Sequence, residues 1–159
     1  MADLVRRTIA ADYPAAIEAP GVTVRVIDPG RLFFVGDGRP DLAPNERRGD
    51  GPYWLWLAPD RALLVGADAP PPGFASEVSD GLAAFAIGGQ RAATLIAMGC
   101  TLDAEGAALA PGRCAQTVFA GVKALLHRDA EADGFRLFAE RSLASWLIAW
   151  FEQAAGALR

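Results

Sequence analysis

Apolar side chains in this sequence fall into short runs broken by Gly, Pro and Asp, a spacing that favours strands and turns over long helices. The first run, Val22-Thr23-Val24-Arg25-Val26-Ile27, is β-branched and predicts a strand that stops at Asp28-Pro29-Gly30. Leu32-Phe33-Phe34-Val35 follows as its return strand. Ahead of them, residues 1–20 mix Arg, Ala and Pro with little periodicity. Residues 36–52 contain Leu42 as the one large aliphatic side chain, too little to anchor a core segment, and read as a long exposed loop or one ordered by a partner. Two apolar runs at 53–57 and 62–65 flank Ala58-Pro59-Asp60-Arg61, where proline at the second turn position presets φ, so a hairpin is expected.

Three prolines at 70–72 block helix and strand pairing alike and predict a connector within one domain spanning 1–159. Beyond it, residues 82–87 read as a strand and Gly88-Gly89 as a turn. Gln90 to Met98 then form a helix with Leu95 and Ile96 on one face and Gly99 past its end. Runs at 115–119, 122–126 and 135–138 give three strands in meander order. In the last helix, Leu143, Trp146, Leu147, Trp150 and Phe151 share the i, i+3, i+4, i+7, i+8 spacing of one apolar face, with Ser142 as N-cap. Trp146→Asp is accordingly expected to abolish soluble expression. The order β-α-β-β-β-α implies an α+β fold, an antiparallel or mixed sheet covered by helices on one side, with split-βαβ (ferredoxin-like) elements.

Composition sharpens this picture. The chain is 52% hydrophobic and 21% charged over 159 residues, rich enough for a packed core with apolar surface left to meet a partner. Fifteen Lys and Arg against nineteen Asp and Glu, scattered along the chain, leave no basic stripe for nucleic acid. No apolar core follows the start Met1-Ala2-Asp3-Leu4-Val5-Arg6-Arg7, and no run reaches membrane-spanning length, so a cytoplasmic protein without a membrane segment is expected. Cys100 and Cys114 belong to no C-x-x-C pair and read as reduced, part-buried thiols.

Candidate chemistry is sparse. His127 is the only histidine, no G-x-S-x-G turn exposes a serine, and no metal-ligand spacing appears, so neither catalytic nor metal-binding residues are assigned. Gly36-Asp37-Gly38 and Gly88-Gly89 are the nearest approaches to a phosphate loop and read as turns. In Ser79-Asp80-Gly81 a carboxylate beside a strand is a candidate for holding a cationic or pterin-like ligand; an Asp-Gly turn explains the same residues. Gln116-Thr117 needs polar partners, from a subunit interface or a neighbouring turn. Trp54 and Trp56 share one strand face, as core or as a partner hot spot.

A set of segments keeps a recognisable order and spacing: Val78-Ser79-Asp80-Gly81, Gly89-Gln90-Arg91-Ala92 with Leu95, Gly99-Cys100-Thr101-Leu102-Asp103, Gly112-Arg113-Cys114-Ala115-Gln116-Thr117, Leu125-Leu126-His127-Arg128 and residues 135–146. In these, the C-terminal two-thirds of the chain resembles the gamma subunit of heterotetrameric sarcosine oxidases. That family's Gly-Pro-Asp-Glu-Trp turn appears here as Ala58-Pro59-Asp60-Arg61-Ala62, and residues 1–50 match only loosely. The resemblance implies a fold similar to the folate-binding domain of aminomethyltransferases. It also implies a non-catalytic structural or assembly subunit beside alpha, beta and delta subunits. Such complexes oxidise sarcosine to glycine, pass the one-carbon unit to tetrahydrofolate or release it as formaldehyde, and produce hydrogen peroxide. FAD, FMN, NAD, zinc and tetrahydrofolate are then expected on the partner subunits and none on this chain. Two alternatives stay open: a stand-alone tetrahydrofolate-binding aminomethyltransferase-like protein, with Asp80 or Asp103 contacting the pterin, and the same subunit in an N-methylglutamate or dimethylglycine oxidase or dehydrogenase.

Overall fold

The computed structural model describes residues 8–13, 15–129 and 134–158. Chain order gives strands β1 (Ile17–Ala19), β2 (Val22–Ile27), β3 (Leu32–Val35), β4 (Arg47–Arg48), β5 (Tyr53–Ala58), β6 (Arg61–Val65) and β7 (Ala75–Glu77). They are followed by β8 (Leu82–Gly88), helix α1 (Ala92–Gly99), β9 (Cys114–Phe119), β10 (Val122–Arg128), β11 (Gly134–Glu140) and helix α2 (Ala144–Ala157). Two antiparallel sheets result, one ordered β1-β2-β8-β11-β10-β9 and the other β4-β5-β6-β3-β7. The α+β class and the β-α-β-β-β-α order of the C-terminal half match the sequence expectation. Here α1 carries the chain from β8 to the far edge at β9, and the meander returns so that β11 separates β8 from β10.

Three layers stack: helices, six-stranded sheet, five-stranded sheet. On one face of the larger sheet, Phe85, Ile87, Leu126, Phe135 and Leu137 pack with Leu95 and Ile96 of α1 and Leu147 and Phe151 of α2. Its other face sets Ala84, Leu125 and Phe138 against Leu32, Leu55, Leu63 and Val65 of the smaller sheet. A sheet covered on both faces buries consecutive residues, which is why β8 is an apolar run and β10 buries Ala124, Leu125, Leu126 and His127 in succession. Each large side chain so buried contributes about 1.5–3 kcal/mol, before conformational entropy is subtracted.

The expected hairpin of 22–27 with 32–35 does not form. β2 pairs with β1 and β8, whereas β3 pairs with β6 and β7 in the other sheet. Asp28 accepts the Gly30 N–H through Oδ1 at 3.0 Å, and this turn passes the chain between sheets. There β3 has hydrogen-bonded neighbours on both edges and buries Leu32 on one face, Phe33 and Val35 on the other. The 36–52 stretch is likewise tied down within the chain. Arg47 N–H donates to Gly112 O at 2.8 Å, Cys114 N–H to Asn45 O at 2.9 Å and Trp56 N–H to Glu46 O at 2.9 Å. Leu42, expected to lack anchoring power, is buried.

The last helix buries most of its expected face, because Leu147 and Phe151 are buried and Leu143 and Trp150 pack partly buried against the same core, and Trp146 is the exception. Ala144, Leu147, Ile148, Phe151, Ala154, Ala155 and Leu158 are buried, and Trp146 is 57% exposed. Ser142 does not cap the helix: it lies in a 3-10 turn, Arg141–Leu143, and Leu143 occupies the N-cap position without a side-chain bond. Small residues on the buried stripe let α2 approach the sheet closely, which the bulkier Trp146 would prevent. Gly99, expected beyond its helix, is the last residue of α1, where any side chain would overlap the Phe119 ring.

Candidate functional site

Lys123, Leu125 and His127 alternate along β10 and face the smaller sheet. Leu125 lies in the dry middle of the inter-sheet layer, Lys123 borders an apolar cleft at one end, and His127 borders a polar pocket at the other.

In the polar pocket His127 is 1% exposed. Its Nδ1 lies 2.8 Å from Arg128 O, which only accepts, so Nδ1 carries the proton and Nε2 accepts from Tyr53 Oη at 3.2 Å. Burial first, with the charges of Arg47 and Arg136, lowers the imidazole pKa to about 4 against the opposing pull of the Arg128 carbonyl and Asp129. Burial also pushes the Tyr53 phenol up to about 12. At neutral pH both are uncharged and each satisfies the other. Arg136 donates Nε–H to Asp129 Oδ2 at 2.8 Å. Arg47 lies over the Tyr53 ring, 4.6 Å from its centroid, and donates Nη1–H to Gly49 O at 2.9 Å. Val26, Ile27, Pro29, Val65, Asp28 and Asp50 complete a cavity of about 590 Å³.

Cys114 is directly opposite His127 in the β9–β10 ladder. The pair is not a nucleophile and base, because the thiol donates to the Glu46 and Trp56 carbonyls and burial raises its pKa to about 11. Among the described residues no group of His, Cys, Asp and Glu is arranged to hold a metal ion.

Asp80 and Asp103 are not brought together. Leu82 and Glu140, beside Asp80, mark one end of the β8–β11 ladder, whereas Arg128, at the other end, donates to the carbonyls of Ala104 and Leu109 near Asp103. Residues 78–81 form the Asp-Gly turn: Gly81 N–H donates to Val78 O at 3.0 Å, and the buried Ser79 hydroxyl accepts Leu32 N–H and donates to Glu77. The exposed Asp80 carboxylate, 3.9 Å from Arg141 Nη1, borders a shallow open cleft with Tyr13 and Ser142. Asp103 Oδ1 accepts Glu105 N–H at 3.0 Å in a local turn. Gly36-Asp37-Gly38 is also a turn, because Gly38 and Gly73, both at positive φ, press the 36–38 and 72–73 backbones together without space for a phosphate.

The apolar cleft is lined by Phe34, Leu57, Leu63, Leu82, Val118 and Phe138, with Arg61, Lys123 and Glu140 on its rim and a volume of about 620 Å³. Gln116 Nε2–H spans the two sheets to Leu57 O at 2.7 Å, so a neighbouring strand supplies the partner that this side chain needs. Trp54 and Trp56 are half-buried and pack against different clusters. Of the large apolar side chains exposed among the described residues, Met98, Val118 and Trp146 lie near the β9–β10 turn, whereas Phe34 lies in β3 and Phe74 just before β7. Trp146 donates Nε1–H to Ala120 O, and Ala120 N–H donates to Gly99 O, next to Met98. Val118, Trp146 and Met98 are 58%, 57% and 44% exposed. Sequence reasoning missed this surface because it assigned Trp146 to the core.

A solved chain with this architecture occurs in heterotetrameric sarcosine oxidase from Corynebacterium sp. U-96, in complex with pyrrole 2-carboxylate. The two chains share a fold. Their TM-score is 0.75 at 22% sequence identity, over 96% of each chain. No family model and no curated protein sequence matches. The sheet-dominated α+β fold therefore coincides with that of a chain of a multi-chain oxidase. Among the described residues no helix is long and apolar enough to cross a membrane.

Proposed function

We propose that this chain is the gamma-type subunit of a cytoplasmic heterotetrameric sarcosine oxidase, a single domain that supports assembly with alpha, beta and delta partners without carrying the chemistry. The observation that carries this reading is the fold likeness over 96% of both chains to a chain of such an oxidase. Two features of the chain support it. His127 and Cys114 are buried and neutral at physiological pH, with their hydrogen bonds committed to the fold. Met98, Val118 and Trp146 expose apolar surface around one turn beside an apolar cleft, as a docking face does. In this reading FAD, FMN, NAD, zinc and tetrahydrofolate are held by the partner subunits, and sarcosine is the amine oxidised.

The purified chain alone is expected to show no flavin absorbance, no retained tetrahydrofolate and no sarcosine-dependent peroxide. Stoichiometric flavin would contradict the reading. Retained tetrahydrofolate, lost on Asp80→Ala, would instead favour a stand-alone folate protein.

A further inference from the structure

Strand β9 is an edge strand of the larger sheet, and its outer edge is covered only at its start. Cys114 N–H points away from β10 and donates to Asn45 O at 2.9 Å, and Glu46 forms a bridge with Arg113. The covering chain then turns off the edge, where Glu46 N–H donates to Ala43 O at 3.0 Å. Backbone groups alternate in direction along a strand, so the N–H groups of Gln116 and Val118 point outward as that of Cys114 does. Among the described residues neither of them has a partner, and Val118 O is met only by the Thr117 hydroxyl at 3.5 Å. Gln116 and Val118 are exposed, and β9 holds neither the lysine nor the proline that commonly guards an open edge.

Apolar surface flanks this open stretch on both faces of the sheet. On the inter-sheet face, Gln116 and Val118 border the cleft of about 620 Å³, whose walls include Phe34, Leu57, Leu63 and Phe138. On the helix face lie the exposed rings and chains of Trp146, bonded to Ala120 O at the end of β9, and of Met98. A strand laid along Gln116 to Val118 sets its alternate side chains over these two surfaces. The cleft rim adds a charge preference. Arg61 and Lys123 stand there against Glu140 as the one carboxylate, and neither cation belongs to an ion pair among the described residues. We propose that the open edge of β9 receives an extended segment of a partner polypeptide as an added strand, with an apolar side chain in the cleft and a carboxylate at Arg61 and Lys123. The identity of the partner rests on the subunit reading; the pairing itself is tested with a defined peptide, so the two can fail separately.

The probe is a blocked hexapeptide, acetyl-Thr-Val-Asp-Val-Thr-Val-amide, titrated into the isotope-labelled full chain and followed by backbone amide NMR. The signals of Gln116 and Val118 are expected to shift saturably and their hydrogen exchange to slow. The same peptide N-methylated throughout, which cannot pair as a strand, should leave them in place, and a lysine in place of the aspartate should weaken binding. Val118→Pro removes one outward N–H at an edge position that tolerates proline, and should weaken the probe by about 3–10-fold. Lys123→Glu, a substitution at an exposed position, should weaken it as well, so either folded variant serves. No saturable shift, equal binding of the N-methylated peptide, shifts confined to Met98 and Trp146, or pairing of the chain with a second copy of itself at β9 would overturn the assignment.

Discussion

Keeping His127 neutral ties the stability of the fold to pH. An unfolded histidine titrates near 6.5 and the buried one near 4, so between these values the unfolded chain binds the extra proton. Stability is therefore whole above pH 6.5 and falls as the pH drops to 4, by on the order of 3 kcal/mol. Urea unfolding at pH 7 and pH 4.5 should show a larger loss in the wild type than in His127→Gln, which cannot titrate; equal losses would contradict the burial argument. The sequence placed His127 beside Arg128 near a strand end, but its phenolic partner lies 74 positions away and meets it only because two sheets stack. Asp80 shows the converse. Its Asp-Gly turn was legible in three residues, since local hydrogen bonds alone make the turn.

At the scale of elements, α2 tests which stripe of a helix drives its packing. Phe151 is fully buried and touches the rings of Phe85 and Phe119, whereas Trp146 makes one bond to Ala120 O from an exposed position. Phe151→Ala should cost about 3–5 kcal/mol in chemical unfolding. Trp146→Ala should cost under about 1 kcal/mol, and the reverse order would place the helix face where the tryptophans first suggested. Both stripes contain Leu147 and Phe151, so periodicity alone fixed the helix but not its rotation. Trp150 still packs on Phe119 and Phe151, so the inward stripe departs from the expected one at Trp146, which close approach through Ala144, Ala154 and Ala155 leaves outside. Strand pairing was ambiguous for a similar reason. The bounds of β2 and β3 were readable from β-branched and aromatic runs, but the four-residue link between them serves a hairpin or a passage between sheets. Only the two-sided apolar pattern of Leu32-Phe33-Phe34-Val35 hinted that β3 needed neighbours of its own.

For the whole molecule, the C-terminal half follows its sequence closely because its strands and helices are consecutive and pack on one another. The second sheet was not anticipated, since it assembles from strands spread between residues 32 and 77 and covers a face that looked free. Its two ends make the pocket and the cleft, neither of which any single segment encodes. In the subunit reading, the turn linking β9 and β10 supplies the docking face. The measurement that bears most directly on this is capture of the tagged chain from its native cell extract, run for the wild type and for Val118→Asp, a substitution at an exposed position that leaves the core intact. The wild type is expected to retain larger flavin-bearing subunits and to form peroxide on addition of sarcosine, and Val118→Asp to stay folded but lose them. Recovery of the wild-type chain alone, with no oxidase activity, would contradict the subunit reading.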